Sequence, residues 1–277
     1  MSWLGTKQAD ESSGDPNLAA LLTWFLPGAG HLYLGRPLMA LVGFVVIEGL
    51  YWLGVRLTDG MLFQFLQDDL RTSSFVVGLS PEAGNLGALI WHFRSYGFGD
   101  GTPRVWPELM NAGIWLTAVS GMLNVGLMAM AHTEARAAKH LAPLARRPGW
   151  LVLAGWGIPG LGHWLQGRRA RAAVVFSVLL SMLLVGSWLA EGSNLDRERH
   201  FYYWGGQFLT GLPAMILEWA SGHPRVTGEL PYVDAGLVFA AVAGLLNVLA
   251  LIDVYGFEEV RVVRSSPNLA PSTEPAR

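Results

Sequence analysis

The sequence contains no cysteine. This absence excludes disulfide bonds, thiolate metal sites and thiol nucleophiles. Charged residues are also scarce, at 14% of 277 residues, whereas soluble domains contain about 25%. Because the formal net charge is −2, the chain lacks the strongly basic face that nucleic-acid binding requires. We therefore expect no nucleic acid as a partner.

Motifs typical of enzymes are missing as well. The sequence has no nucleophile elbow, P-loop, HExxH pair, dinucleotide fingerprint or pair of catalytic carboxylates. The stretch Gly28-Ala29-Gly30 is not followed by the Lys and the Ser or Thr of a phosphate loop. The sequence therefore favours a non-enzymatic protein with no catalytic residue, no metal and no resident cofactor.

Long apolar runs dominate what is present, since 52% of the residues are hydrophobic. Four runs are long enough to cross a bilayer, which takes about 20 residues. They comprise residues 37–57, 108–131, 170–190 and 235–255. Two stretches between the first and second runs, 61–70 and 86–93, are typical of amphipathic helices at the membrane interface. The sequence thus predicts an all-α integral membrane protein.

A ten-residue motif occurs twice, at positions 27–36 and 159–168. Both copies read Pro-Gly-x-Gly-His and end in Gly-Arg. Proline and two glycines in an apolar segment predict a broken helix. The conspicuous motif residues are Gly28, Gly30, His31, Arg36, Gly160, Gly162, His163 and Arg168. We interpret each broken segment as re-entrant; the alternative is that it spans the membrane.

Shorter matches extend the repeat beyond the motif. Residues 64–66 and 207–209 both read Gln-Phe-Leu, and 121–125 resembles 244–248, each with Leu-Asn-Val at its end. Pro-Arg-Val and Glu-Leu pairs also recur. We predict two tandem parallel repeats, each a broken or re-entrant helix plus two transmembrane helices, with interfacial helices in the outer loops. The predicted domains are a polar tail (1–16), a first repeat (17–131), a basic cytoplasmic linker (132–149), a second repeat (150–256) and a cytoplasmic tail (257–277).

Basic residues indicate the orientation. In the re-entrant arrangement, Arg36, the cluster at 136–147, residues 168–171 and Arg261 all fall on one side. The opposite loops are richer in Asp and Glu. The positive-inside rule then places both termini in the cytoplasm. Abundant Ala, Gly and Arg are typical of a bacterial protein, so we expect a multi-pass protein of the bacterial inner (plasma) membrane.

The stretch LLTWFLPGAGHLYLGRPLMALV resembles the TM2-domain type of small membrane module, and GWGIPGLGHWLQGRRARAAVVF does so as well. In that family a glycine-rich turn and an aromatic-x-Gly-Arg step join two closely spaced apolar helices. This sequence lacks the acidic-Arg-Phe element common there. The resemblance covers each motif with its flanking apolar segments, but not the loops or the last span of each half. It implies a bacterial membrane module without established enzymology.

Two roles are open for His31 and His163, which hold equivalent positions in the motif. They could bind an anion, a metal or a haem group, the last as an axial pair. Alternatively, each could hydrogen-bond backbone carbonyls that the helix break exposes. The alternatives predict different spectra, because only bound haem gives a Soret band.

Four polar residues fall within or near the predicted spans. Glu48 lies at mid-span and could be a proton or cation site, or a buried hydrogen-bonding group. Asn124 and Asn247 match in the repeat, and we expect them to pack the helices of the two halves together. Asp253, near the end of the last span, is either a snorkelling carboxylate or a partner of arginines such as Arg171.

Three functions fit these features. The first is a non-enzymatic scaffold or accessory subunit of a larger membrane complex, with partner subunits or further copies of itself. The second is a small transporter, channel or lipid-handling protein that uses the broken helices and Glu48. The third is haem or metal binding through His31 and His163.

Overall fold

The computed structural model describes residues 14–72, 74–100, 102, 104–139, 148–222 and 231–264. Throughout these residues the secondary structure is helical, with no β-strand. The α-helices are α1 (Pro16–Phe25), α2 (Ala29–Tyr33), α3 (Pro37–Leu57), α4 (Leu86–Tyr96), α5 (Met110–Lys139), α6 (Pro148–Gly157), α7 (Leu161–Leu165), α8 (Arg169–Leu189), α9 (Phe201–Phe208), α10 (Leu212–Ala220) and α11 (Val233–Arg264). Short 3₁₀ helices lie at Asp68–Thr72, Ser74–Leu79, Pro81–Gly84 and Ser193–Leu195.

Four of these helices, α3, α5, α8 and α11, are long and apolar enough to cross a membrane. The prediction of an all-helical chain with four such segments is confirmed. In α5, 61% of the most apolar window is buried, against 28% in α3 and in α8. Helix α5 is central because it packs against α1 and α3 of the first half and against α6 of the second.

Two spans continue past their predicted ends. Helix α5 runs on to Lys139, because the Ala, Glu, Arg and Lys residues after its apolar run favour helix, and α11 runs on to Arg264 through a stretch that contains two Glu and two Arg. The predicted linker and C-terminal tail therefore begin inside helices. Most of the predicted N-terminal tail, positions 140–147 of the linker, the stretch 223–230 and the stretch 265–277 lie outside the described part of the chain.

Each motif copy reverses the direction of the chain. Helix α1 ends at Phe25, and Gly28 adopts φ 85° before α2 begins. A Cβ atom on Gly28 would lie 2.3 Å from the carbonyl oxygen of Ala40, so a side chain does not fit. The backbone N–H of Asp15 donates to the hydroxyl of Tyr33 at 3.1 Å. The start of α1 and the end of α2 are therefore neighbours, and the two helices form a hairpin.

The second copy repeats this geometry. Gly160 has φ 82°, and a Cβ atom there would lie 2.4 Å from the carbonyl oxygen of Ala172. Ala172 stands at the same place after the second motif copy as Ala40 does after the first. Both hairpins thus turn against the first turns of the following long helix, α3 or α8.

We call the described residues between α3 and α5 in the first half, and between α8 and α11 in the second, the outer segment of that half. Each outer segment contacts the tip of its hairpin. The indole N–H of Trp24 donates to the carbonyl of Ala83 at 2.7 Å, and a Cβ on Gly87 would lie 1.9 Å from the carbonyl oxygen of Phe25. The end of α1 therefore abuts the start of α4. The helix predicted at residues 86–93 is present as α4, and the residue before it, Asn85, lies beside the middle of α3.

The structure corrects one register of the predicted repeat. Trp156, the counterpart of Trp24, donates to the carbonyl of Phe208 at 3.3 Å. The place of Phe208 is therefore taken in the first half by Ala83. The Gln-Phe-Leu match at 64–66 and 207–209 was wrong, because residues 61–67 form turns rather than the predicted amphipathic helix.

Candidate functional site

Asn124 bonds the carbonyl that Pro27 leaves without a donor at the first helix break. In a continuous helix the carbonyl of Thr23 would accept from the residue four positions later, but that residue is Pro27, which has no N–H. The side-chain amide of Asn124 donates to this carbonyl at 2.8 Å and to the carbonyl of Gly84 at 2.9 Å. One buried amide therefore joins the broken helix to the outer segment.

Asn247 does the same in the second half. Pro159 deprives the carbonyl of Gly155 of its helical donor, and Asn247 donates to that carbonyl at 3.4 Å and to Leu209 at 2.9 Å. Each asparagine thus joins segments of its own half. This corrects the expectation that the two asparagines pack one half against the other, and it corrects the backbone-capping role considered for the motif histidines.

His31 lies beside an ion pair at the end of the first hairpin. Arg36 Nη1 is 2.8 Å from Glu134 Oε1, and His31 Nε2 is 3.7 Å from Glu134 Oε2. Neither ring nitrogen of His31 has a hydrogen-bond partner among the described residues. Burial, followed by the Arg36 guanidinium, lowers the pKa of His31 to about 4. The ring is therefore neutral at pH 7, and Glu134 has Arg36 as its cationic partner.

His163 belongs to a similar cluster built on a different carboxylate. Its Nε2 lies 2.9 Å from Asp253 Oδ2, and Arg168 and Arg171 both contact the same carboxylate. Asp253 comes six residues after Asn247, whereas Glu134 comes ten residues after Asn124. The difference of four residues is about one helical turn, so both carboxylates occupy the same face. Asp253 is thus an arginine partner, one of the two roles expected for it.

Glu48 lies in the middle of α3 and is half-buried. Its Oε1 accepts a hydrogen bond from Asn85 Nδ2 at 3.2 Å. The glutamate therefore hydrogen-bonds the segment between α3 and α5, as one of the two roles expected for it requires. Within the described residues, no three His, Asp or Glu side chains cluster closely enough to hold a metal ion.

A deeply buried ion pair joins the two halves. Arg197, in the outer segment of the second half, donates from Nη1 to Glu82 Oε1 at 3.1 Å. Glu82 lies in the 3₁₀ helix before α4, and the same oxygen accepts from Thr117 Oγ1 of α5 at 2.9 Å. The side chains of Arg197 and Glu82 are 6% and 0% exposed, respectively. Because burying charge is expensive unless it is paired, this pair holds the two outer segments in one relative position.

Aromatic rings surround the guanidinium of Arg197. Its Cζ lies 4.7 Å from the ring centre of Trp204, 5.4 Å from Phe201 and 5.8 Å from Phe63, all within the range of cation–π attraction. Several buried polar atoms here have no hydrogen-bond partner among the described residues. They are Glu82 Oε2, Arg197 Nε and Nη2, and the hydroxyl of Tyr51, whose ring connects to Phe63 through His92.

Sequence reasoning did not find this pair. Glu82 and Arg197 are 115 residues apart, and both lie in loops among other charges. In the corrected alignment of the two halves, Gln207 is the equivalent of Glu82. Gln207 is buried and bonds Asn194 within its own half. Glu82 is charged whereas its equivalent in the other copy, Gln207, is a neutral amide. This difference would have distinguished Glu82, but the two residues can be paired only once the structure has aligned the two halves.

The comparisons with known proteins identify one family. Its model, described as a family of unknown function, matches two regions, residues 18–141 and 150–266, as a tandem repeat would. The comparison with curated proteins found no match, and neither did the comparison with solved structures. Because the two matched regions cover most of the chain, the protein belongs to the DUF6677 family, a family of unknown function.

Proposed function

We propose that the protein is a non-enzymatic scaffold or accessory subunit of a larger membrane complex. One observation carries the proposal: at each helix break, the carbonyl that the proline leaves without a helical donor is bonded by an asparagine of the chain itself, Asn124 for Thr23 and Asn247 for Gly155. Transporters use broken helices to present free backbone groups to a substrate. Here the carbonyl freed by each proline is already bonded within the protein, which favours a rigid module that presents its surfaces to partner subunits.

In this proposal the two hairpins enter the bilayer from the cytoplasmic side and return to it. The two halves then form parallel repeats in a bacterial inner membrane, with both termini in the cytoplasm. The support is the side shared by Arg36, Arg168 and Arg261, near the ends of the hairpins and of α11. The likeness to TM2 modules, in which a glycine-rich turn joins two helices, agrees with this arrangement.

A second candidate is transport, and the Glu82–Arg197 pair favours it. Ionisable groups inside a membrane protein often mark an ion or substrate path, and binding sites of repeat transporters lie between the repeats. This pair joins the two halves and leaves buried polar atoms unbonded among the described residues. Proton or substrate movement through it would require the pair to open.

Native purification in mild detergent separates these candidates. We expect other membrane proteins to co-purify at fixed stoichiometry, measured by mass spectrometry and by the mass of the eluting particle. A second preparation carries Glu48→Gln, which we expect to retain the same partners. Purification as a single species or as a homo-oligomer, with proton flux in proteoliposomes that Glu82→Gln abolishes, would instead establish transport. A Soret band on the same peak would establish haem binding.

A further inference from the structure

An apolar groove of about 310 Å³ lies between the second hairpin and α8. Pro159, Gly160 and Trp164 line it from the second hairpin, and Ala172 and Phe176 line it from α8. The side chains of Trp164 and Phe176 are exposed, so the groove opens on the outer surface of the protein. In a bilayer, an open apolar groove at this position faces acyl chains.

The guanidinium of Arg169 lies beside this groove. Arg169, the first residue of α8, is exposed, and its guanidinium carbon lies 5.4 Å from the ring centre of Trp164. Among the described residues no carboxylate forms an ion pair with Arg169, whereas Arg168 and Arg171 share Asp253. Three arginines against one carboxylate leave two excess positive charges. The rim is therefore complementary to an anion.

The charge and the groove are aligned along α8. Phe176 and Ser177 follow Arg169 by seven and eight residues, which places them about 10–12 Å farther along the helix. A cationic rim with an apolar channel below it matches the two parts of a phospholipid, a phosphate at the interface and an acyl chain in the hydrocarbon region. A water-soluble anion would use only the rim.

The first half lacks this combination. At the corresponding positions in and after the first motif copy, Pro37 stands in place of Arg169, Leu32 in place of Trp164 and Met39 in place of Arg171. Its remaining arginine, Arg36, is paired with Glu134 at 2.8 Å. The corresponding surface of the first half is therefore an internal control that carries no excess positive charge.

We propose that the groove between the second hairpin and α8 binds one anionic phospholipid, with its phosphate on Arg169 and an acyl chain along α8 as far as Phe176. This inference does not depend on the scaffold or transport proposal. It applies to either function, because a lipid at this position would stabilise the second hairpin against α8.

Native mass spectrometry of the protein in detergent micelles that contain both phosphatidylglycerol and phosphatidylcholine tests the proposal. We expect one phosphatidylglycerol to be retained selectively. Arg169→Gln should weaken that retention about fivefold, the equivalent of about 1 kcal/mol for a basic residue near a lipid surface. Ala173→Phe, which fills the groove without changing charge, should reduce the retention of both lipids.

Arg264→Gln is the matched control, since Arg264 is an exposed arginine at the end of α11. It should leave the retained lipid unchanged, and the elution profile of every variant should match that of the parent protein. Unchanged retention in Arg169→Gln would overturn the proposal. So would an equal loss in Arg264→Gln, because it would show a general charge effect instead of a site.

Discussion

In both halves an asparagine bonds the backbone carbonyl that a proline leaves free, but the two halves differ in the charged residues of their outer segments. Pro27 and Pro159 each orphan one carbonyl, and in each half an asparagine from the last long helix bonds it. Glu82 and Gln207 are equivalent residues of the two outer segments, but they bond differently. Glu82 forms an ion pair with Arg197 of the other half, whereas Gln207 bonds Asn194 of its own half. The shared feature is required by the chain reversal, and the differing one concerns how the halves fit together.

The largest effect should come from breaking the pair between the halves. Glu82→Ala leaves the Arg197 charge buried without its carboxylate, which should cost about 3–5 kcal/mol of stability. Unfolding in mixed micelles of increasing denaturing detergent measures this. The double variant Glu82→Leu with Arg197→Leu should recover much of the loss, because no charge then remains buried. A loss as large in Gln207→Ala would remove the distinction between the halves.

The hairpin glycines should respond unequally. A Cβ on Gly30 would lie 1.9 Å from the carbonyl oxygen of Ala19, whereas one on Gly162 would lie 2.8 Å from that of Leu151. Overpacking typically costs about 1–3 kcal/mol, so we expect about 3 kcal/mol for Gly30→Ala and about 1 kcal/mol for Gly162→Ala. Thermal stability in detergent ranks them, and the reverse order would contradict the described packing.

The two asparagine caps should behave alike and independently. Leucine at Asn124 or Asn247 removes the amide and leaves two carbonyls without this donor, at a cost of about 1–3 kcal/mol each. Asn124→Leu should cost more, because its bonds are 2.8 and 2.9 Å against 3.4 and 2.9 Å for Asn247. The double variant should show the sum of the two losses; strong non-additivity would mean that the caps communicate between halves.

The carboxylates at the hairpin ends should include the smallest loss of stability, at Asp253. Glu134→Gln removes a buried partner of Arg36, and hydrogen bonds to charged groups contribute about 1.5–3 kcal/mol. Asp253 is 42% exposed, so water replaces it more easily, and Asp253→Asn should cost about 1 kcal/mol or less. Raising the salt concentration should reduce the stability loss caused by Asp253→Asn before it reduces the loss caused by Glu134→Gln. Equal losses at low salt would show that both clusters are equally buried.

Hydropathy predicted the four long helices because a run of about 20 apolar residues has few other stable states in a membrane. The glycine motif predicted the breaks for an equally local reason. The hydrogen-bond partners of the freed carbonyls could not be predicted in the same way. Thr23 and Asn124 are 101 residues apart, and any nearby donor could have bonded the carbonyl. The histidines were the conspicuous donors in the motif, yet His31 bonds no carbonyl among the described residues and His163 contacts Asp253.

The long separation between each break and its cap has a consequence for synthesis. Thr23 needs Asn124, which the ribosome adds 101 residues later. At about 5–20 residues per second, the first hairpin waits about 5–20 seconds without that donor while α3 and α4 are made. During this interval its free carbonyl needs water, a chaperone or the insertion machinery. Nascent chains arrested before Asn124 should therefore expose a hairpin that proteases cut and that the finished protein protects.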